Sequence, residues 1–211
     1  MSLKTLAVIG ASKGIGLATV SVAMERGWKV RTLSRSQLPL PPHENLTTFT
    51  GSVLDKEKVK EVVQGASAVV VSLGHPISLC KVNLYSEGTK NIIDTLLGWN
   101  PKAYLMVVTG IGAGESAGHG GFFYDKFVKP VILRKDYQDK NRQEILVRLS
   151  KLDWVIVRPG FLNDGELTGV YRCMEDLEGI TAGKISRLDC ADFLIREAEA
   201  KVWKGKTPLI G

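Results

Sequence analysis

The chain has 211 residues, of which 44% are hydrophobic and 24% are charged, and its formal net charge at pH 7 is +6. This length and balance predict one soluble globular domain with a full core and exclude disordered and fibrous classes. No apolar run reaches the roughly 20 residues of a membrane-spanning helix, and the three cysteines are widely spaced without a Cys-x-x-Cys pair. We therefore expect a cytoplasmic protein that binds no membrane.

The positive charge predicts attraction of an anionic ligand rather than of nucleic acid. Lys and Arg are scattered along the chain, and their densest groups, 56–60 and 201–206, are interrupted by acids or by Trp203. Neither group has the interleaved aromatic residues of a nucleic-acid surface. We expect no nucleic-acid partner.

The first 34 residues predict a strand at about 4–9, a glycine turn, a helix over 14–26 and a second strand over 28–34. Glycines between a first strand and a first helix let the backbone approach a pyrophosphate, which then binds the free N–H groups at the start of the helix. The alternative is a glycine-rich surface loop. We predict a dinucleotide site, with cofactor contacts at Gly10, Ser12, Lys13, Gly14, Ile15 and Gly16.

Strands and helices alternate along the rest of the chain. The predicted elements are strand 46–50, helix 55–64, strand 68–73, helix 82–98, strand 103–108, irregular segment 110–135, helix 136–151, strand 154–158, a last helix that Asp189 caps and that extends to Val202, and strand 207–210. This alternation predicts an α/β fold, a single doubly wound parallel sheet of the Rossmann type with three αβα layers. One NAD(P)-binding domain would span 1–211, with substrate-side segments at about 110–135 and 160–187.

The residues after strand two favour NADP, with NADPH preferred over NADH. An acid at this place contacts the ribose hydroxyl of NAD, but no Asp or Glu occurs between Glu25 and Glu44, and Ser34-Arg35-Ser36 ends the strand. Arg35 and Lys13 would bind the 2′-phosphate. The alternative is that both are ordinary exposed loop residues. The ends of later strands supply further predicted cofactor contacts, at Ser34, Ser52, Val53, Ser72, Leu73, Gly74, Thr109 and Pro159.

Four stretches beyond the glycine turn carry a family resemblance: 86–92 (SEGTKNI), 152–160 (LDWVIVRPG), 162–165 (LNDG) with Thr168-Gly169, and 185–193 (ISRLDCADF). With Gly10 to Gly16, they resemble the atypical short-chain dehydrogenase/reductases, and within that group the NAD(P)H-binding, NmrA-like proteins related to flavin reductase (biliverdin reductase B). The glycine spacing departs from this group and is that of the Tyr-x-x-x-Lys dehydrogenases. Gly51-Ser52 also replaces the usual Gly-Asp of the family, which puts the adenine contact in doubt.

The resemblance directs attention to a catalytic tyrosine, and none of the five tyrosines is followed four residues later by lysine. Tyr137 and Lys140 are three apart on a predicted helix and are therefore neighbours, and Thr109 stands where the family often has serine. We name Thr109, Tyr137 and Lys140 as candidate catalytic residues. The alternative is that Tyr137 packs in the core and that Lys140 is solvated or anchors the cofactor.

The missing Tyr–Lys pair favours hydride transfer to a flavin or quinone. A carbonyl gains greatly from a general acid, whereas a flavin or quinone can take its proton from water. The aromatic residues of 122–127 would form a wall for a flat acceptor, or else pack on the core. We expect an NADPH-dependent oxidoreductase with a small aromatic or quinonoid acceptor and no metal, acting as a monomer or homodimer. The alternatives are a non-catalytic NADP-sensing regulator of NmrA type and, less favoured, an epimerase or dehydratase-like enzyme.

Overall fold

The computed structural model describes residues 4–76, 80 and 82–211, which form ten β-strands and five α-helices. The strands are β1 (Thr5–Ile9), β2 (Lys29–Ser34), β3 (Leu46–Thr50), β4 (Ala68–Val71), β5 (Tyr104–Val108), β6 (Trp154–Pro159), β7 (Phe161–Asn163), β8 (Cys173–Met174), β9 (Lys184–Ser186) and β10 (Leu209–Ile210). The helices are α1 (Gly14–Glu25), α2 (Lys56–Val63), α3 (Leu84–Trp99), α4 (Arg134–Leu149) and α5 (Arg187–Ala200).

Eight strands form one sheet in the order β3-β2-β1-β4-β5-β6-β10-β8. All neighbours are parallel except β10 and β8, which are antiparallel. The chain builds outward from β1 to β3 and then crosses to β4 on the other side of β1. Strand order therefore reverses between β1 and β4, which is where doubly wound sheets bind their ligands. The predicted fold class is confirmed.

The sheet separates two apolar cores because alternate strand residues point to opposite faces. In β1, Leu6 and Val8 pack against α1 and α5, whereas Ala7 and Ile9 pack against α2, α3 and α4. Strand β4 is buried along its whole length. This explains why its sequence reads as a continuous apolar run, as a strand covered on both faces must.

The start and end of α5 differ from the prediction. Ser186 caps the helix by accepting a hydrogen bond from the Asp189 N–H at 2.9 Å, and the helix begins at Arg187. The expectation that Asp189 is the cap is wrong. Its carboxylate instead accepts hydrogen bonds from the N–H groups of Thr168 and Gly169, at 2.9 and 2.8 Å. The helix ends at Ala200, so Val202 lies beyond it.

The segment 110–135, predicted to be irregular, contains a 3₁₀ turn (Gly114–Ser116) and a π-helix (Tyr124–Ile132) that includes Pro130. Proline lacks the N–H that a helix interior requires, and its ring disfavours a regular α-helix at this place. No residue of the π-helix is buried. In the other predicted substrate-side segment, 160–187, β7 and β9 pair in a small parallel sheet.

Candidate cofactor site

A cleft with a volume of about 730 Å³ lies at the carboxyl ends of β1 to β5. It passes the point where strand order reverses. The predicted cofactor residues that line it are Gly10, Ser12, Lys13, Gly14, Ile15, Ser34, Arg35, Ser52, Val53, Ser72, Leu73, Gly74, Thr109 and Lys140. Residues from five different strand ends therefore converge on one site.

Two glycines of the turn are required by close backbone contacts. A Cβ atom on Gly10 would lie 2.1 Å from the Ser72 carbonyl oxygen at the end of β4. A Cβ atom on Gly16 would lie 2.1 Å from the Gly10 carbonyl oxygen, so Gly16 supports the turn from inside α1. Gly16 is buried and lies outside the cleft lining. Gly16 therefore touches the cleft only through its contact with Gly10, and its role in cofactor binding stays a prediction.

The N-terminus of α1 opens into this cleft without a side-chain cap. Its N-cap residue, Lys13, makes no capping hydrogen bond, and its first turn has no acid. In contrast, α2 is capped by Asp55, and the N–H groups of Tyr85 and Ser86 in α3 bond to Asp139 of α4. The first N–H groups of α1 have no partner within the helix. They form a site where an anion gains hydrogen bonds and the favourable end of the helix dipole.

The charge of the cleft is predominantly positive. Lys13 and Arg35 are exposed at one end, and in the described part of the chain neither side chain forms a hydrogen bond or an ion pair. Arg187 lies at the other end and forms an ion pair with Asp164, with Nη1 and Oδ1 2.5 Å apart. Two unpaired cations beside an uncapped helix favour a phosphate-bearing ligand.

Lys140 and Thr109 meet at the end of the cleft opposite Arg35. The Lys140 ammonium donates to the Thr109 carbonyl oxygen at 2.5 Å and lies 5.4 Å and 5.2 Å from the ring centres of Tyr85 and Tyr137. Burial lowers the pKa of Lys140 to about 8, although Asp136 and Glu144 oppose this shift. Lys140 can therefore change its charge near neutral pH.

The Thr109 hydroxyl is committed to a buried ionic network. It donates to Glu144 Oε1 at 2.8 Å, and Arg158 donates to both carboxylate oxygens of Glu144, at 3.1 and 2.6 Å. Arg158 also bonds to Glu115 at 2.5 Å. Arg158 and Glu144 are buried. The network fixes α4 against β5 and β6 and holds Thr109 in place.

Tyr137 lies outside the lining of this cleft. Its hydroxyl donates to the Ile111 carbonyl oxygen at 2.6 Å and is 2.7 Å from the Tyr124 hydroxyl. Burial raises the pKa of the Tyr137 phenol well above its ordinary value, so the phenol stays protonated. The hydroxyl thus anchors the start of segment 110–135 and is not aimed into the cleft beside Lys140.

The structure also shows where sequence reasoning was incomplete. Pro159 is buried, pairs with Ile210 and accepts a hydrogen bond from the Ile111 N–H at 2.9 Å, outside the cleft lining. Three residues to which we gave no role, Leu162, Asp164 and Arg187, do line the cleft. Their only signal was membership in stretches that carry the family resemblance.

A second cavity of about 740 Å³ lies between segment 110–135 and α4, and Tyr137 lines it. At its edge Phe122, Phe123 and Phe127 pack on one another, with ring centres 6.3 and 5.7 Å apart, and all three are exposed. The sequence left two interpretations of these aromatic residues, a wall for a flat acceptor or packing on the core. Because these three rings are exposed, they do not pack on the core. Tyr124 does pack inward, against Phe161 at 5.3 Å.

The fold and the site define a Rossmann-type nucleotide-binding protein. The sequence profile of the NAD(P)H-binding family matches residues 10–201, and the chain belongs to that family. A curated 3-beta-hydroxysteroid dehydrogenase from Mycolicibacterium neoaurum is 31% identical over 97 residues, covering 41% of this chain and 26% of that protein. The match thus spans about a quarter of the length of this relative.

Solved structures share the fold over nearly the whole chain. ChuY, an anaerobilin reductase from Escherichia coli O157:H7, has a TM-score of 0.80 and 21% identity, covering 98% of this chain and 96% of its own. A short-chain dehydrogenase/reductase from Veillonella parvula DSM 2008 in complex with NADP has a TM-score of 0.81 and 18% identity, covering 100% and 95%. SP1627 of Streptococcus pneumoniae TIGR4, assigned as an NADH-flavin reductase, has a TM-score of 0.76 and 23% identity, covering 98% of each.

No helix among the described residues is long and apolar enough to cross a membrane. Among the same residues, no three His, Cys, Asp or Glu side chains are grouped so that they could hold a metal ion.

Proposed function

We propose that the protein is an NADPH-dependent reductase that transfers hydride directly to a flat acceptor of the flavin or quinone type. The observation that carries this proposal is the cleft itself. It joins an uncapped helix N-terminus and two unpaired cations at one end to Thr109 and Lys140 at the other. Membership in the NAD(P)H-binding family supports the choice of cofactor.

Each end of the cleft suits a different part of the cofactor. The free N–H groups of α1 would hold the pyrophosphate, and Lys13 and Arg35 would hold the 2′-phosphate that distinguishes NADPH from NADH. Lys140 and Thr109 would lie at the nicotinamide end. Bound NADPH would supply a hydride there. The protein would then need to hold the acceptor close to the nicotinamide ring, in an orientation that allows hydride transfer.

The choice of acceptor follows from the state of the hydroxyl groups. The Thr109 hydroxyl donates to Glu144, and the Tyr137 hydroxyl donates to Ile111 outside the cleft. Neither is poised to protonate an alkoxide, the product of hydride transfer to a carbonyl. A flavin or quinone spreads the added charge over its ring system and can take its proton from water. The neighbouring structures named for bilin and flavin reduction support this assignment.

The test is NADPH oxidation by the purified chain with FMN, riboflavin, a water-soluble quinone and a panel of aldehydes and ketones. We expect turnover with a flavin or quinone far above the heat-killed control, and little with the carbonyls. Tight NADPH binding without oxidation by any acceptor would overturn the reductase and favour an NADP-sensing protein. Preferential reduction of a carbonyl would overturn the acceptor class.

A matched pair of glycine variants ties this turnover to the cleft. Gly16→Ala places a Cβ atom 2.1 Å from the Gly10 carbonyl oxygen, whereas a Cβ atom at Gly98 meets nothing within 4 Å. We expect Gly16→Ala to lose NADPH binding and turnover and Gly98→Ala to keep both. Thermal unfolding of each variant separates a distorted turn from a global loss of structure.

A further inference from the structure

The second cavity gathers cations that have no acidic partner. Its lining includes Lys126, Lys129 and Arg134 and one acid, Asp125. Within the described ranges, none of the three cations lies within 4.0 Å of a carboxylate oxygen, and the Asp125 carboxylate accepts a hydrogen bond from the Gly120 N–H at 2.9 Å instead. The cavity thus carries a net positive charge that its one acid, Asp125, only partly compensates.

Several other arginines of the described chain form ion pairs with acids. Arg142 bonds to Asp139, Arg158 to Glu144, and Arg196 to Asp192. In the cofactor cleft, Lys13 and Arg35 also lack hydrogen-bond and ion-pair partners among the described residues. Unpaired cations in a concave surface mark a place where an anion can enter without displacing an existing ion pair.

Lys129 is held in this cavity by its neighbours. Its ammonium lies 5.5 Å from the centre of the Tyr137 ring, and a Cβ atom on Gly112 would lie 3.2 Å from its Cδ. Burial lowers the pKa of Lys129, and Asp125 only partly offsets this effect. Burial disfavours the charged form of the Lys129 ammonium, and a bound anion would stabilise that charged form.

The second cavity is adjacent to the nicotinamide end of the first. Tyr137 lines the second cavity, and Lys140 lines the first. The backbone of Gly110 lies beside both, since a Cβ atom there would be 3.5 Å from the Tyr137 hydroxyl and 3.7 Å from Lys140 Nζ. A ligand with a flat ring in one cavity and a side arm in the other would therefore pass beside Gly110.

We propose that the second cavity binds an anionic group, a phosphate or a carboxylate, on the side arm of the acceptor, and that Lys129 and Arg134 determine this specificity. The inference rests on the proposed function and adds a substrate class to it: acceptors with an acidic side arm. Phe122 and Pro130 supply apolar surface beside the cations. The cavity therefore suits a side arm attached to an aromatic ring.

The test compares three flavins that share the isoalloxazine ring: riboflavin, which is neutral, FMN, which carries a phosphate, and 10-carboxymethylflavin, which carries a carboxylate. Binding is followed by flavin fluorescence with the protein saturated with NADP⁺, so that no reduction occurs. We expect FMN, carboxymethylflavin or both to bind at least about tenfold more tightly than riboflavin, the scale of one charge-assisted hydrogen bond. The acid with the larger preference identifies the group.

Variants assign the preference to this cavity. Lys129→Gln and Arg134→Gln should each remove most of the preference for the acidic flavin and leave riboflavin binding unchanged. Lys102→Gln, which removes one exposed positive charge outside both cavities, should change nothing. Equal binding of all three flavins by the unmodified protein, or an equal loss for riboflavin and FMN in the variants, would overturn the inference.

This outcome is distinct from failure of the proposed function, because binding is measured without turnover. If flavins are reduced without a preference for acidic side arms, the proposed reductase function stands and only the proposed specificity is wrong. If no acceptor is reduced, the proposed reductase function is wrong, whatever the binding measurements show. Thermal unfolding of Lys129→Gln and Arg134→Gln confirms that each variant is folded.

Discussion

Replacement of Arg35 by alanine tests how the cleft distinguishes NADPH from NADH. Arg35 follows β2, lines the cleft and is exposed, and its guanidinium has no hydrogen bond or ion pair among the described residues. Its removal therefore breaks no hydrogen bond or ion pair of the free protein. Any change in cofactor affinity then reports on the bound state.

The expected magnitude follows from the exposure of the side chain. A hydrogen bond between charged groups contributes about 1.5–3 kcal/mol, and solvent screening at an exposed position favours the lower end of this range. About 1.5 kcal/mol corresponds to a roughly tenfold higher Kd for NADPH. NADH has no 2′-phosphate, so its Kd should stay unchanged.

The assay is titration of the protein with NADPH and with NADH, followed by cofactor fluorescence at fixed ionic strength. Lys102→Ala is the matched control, because it removes the same charge from an exposed site outside the cleft. It should leave both Kd values within error. An equal weakening of NADPH and NADH by Arg35→Ala would refute the assignment, since it would show that Arg35 contacts a part common to both cofactors.

Three further predictions concern the interior of the site. Glu144→Gln removes one partner of the buried Arg158 pair and should lower the free energy of unfolding by about 3 kcal/mol, measured in urea; Glu115→Gln, at a side chain that is 65% exposed, should cost less than about 1 kcal/mol. Equal losses would contradict this account. NADPH affinity should be highest well below pH 8 and fall as the pH rises through the Lys140 pKa of about 8, because the anionic cofactor favours the ammonium form. Lys140→Arg, which keeps its charge, should abolish this dependence, and a pH profile that persists in Lys140→Arg would assign it to another group. Tyr137→Phe should keep flavin or quinone turnover close to that of the unmodified protein, and a loss of the roughly hundredfold size typical of a missing general acid would place its hydroxyl in catalysis.

Much of the fold was predictable because its signals are local. The run Leu6–Ile9, the glycine turn and the apolar face of α1 lie within 25 consecutive residues, and each reports its own backbone conformation. Errors arose where a polar side chain had more than one available partner. Asp189 has the residue type and position of a helix cap, yet it bonds to Thr168 and Gly169, because Ser186 already satisfies the helix terminus.

The candidate site was predictable to the extent that it lies at strand ends. Ser34 ends a parallel strand and Ser52, Ser72 and Thr109 follow others, and parallel strands bring their carboxyl ends to one edge of the sheet. No comparable rule predicts from the sequence where a side chain points. Tyr137 and Lys140 are neighbours on α4, but the hydroxyl points to Ile111, whereas the ammonium lines the cleft.

The sequence by itself determined the doubly wound fold, the glycine turn and the cations Lys13 and Arg35, because these depend on residue type and on short spacings. Only the tertiary structure decided that Asp164 and Arg187 close one end of the cleft and that unpaired cations gather in a second cavity. Asp164 and Arg187 are 23 positions apart in the chain, and the second cavity forms where segment 110–135 folds against α4. The relative positions of these residues and segments depend on how helices and strands pack and rotate against one another, and a linear pattern does not record that geometry.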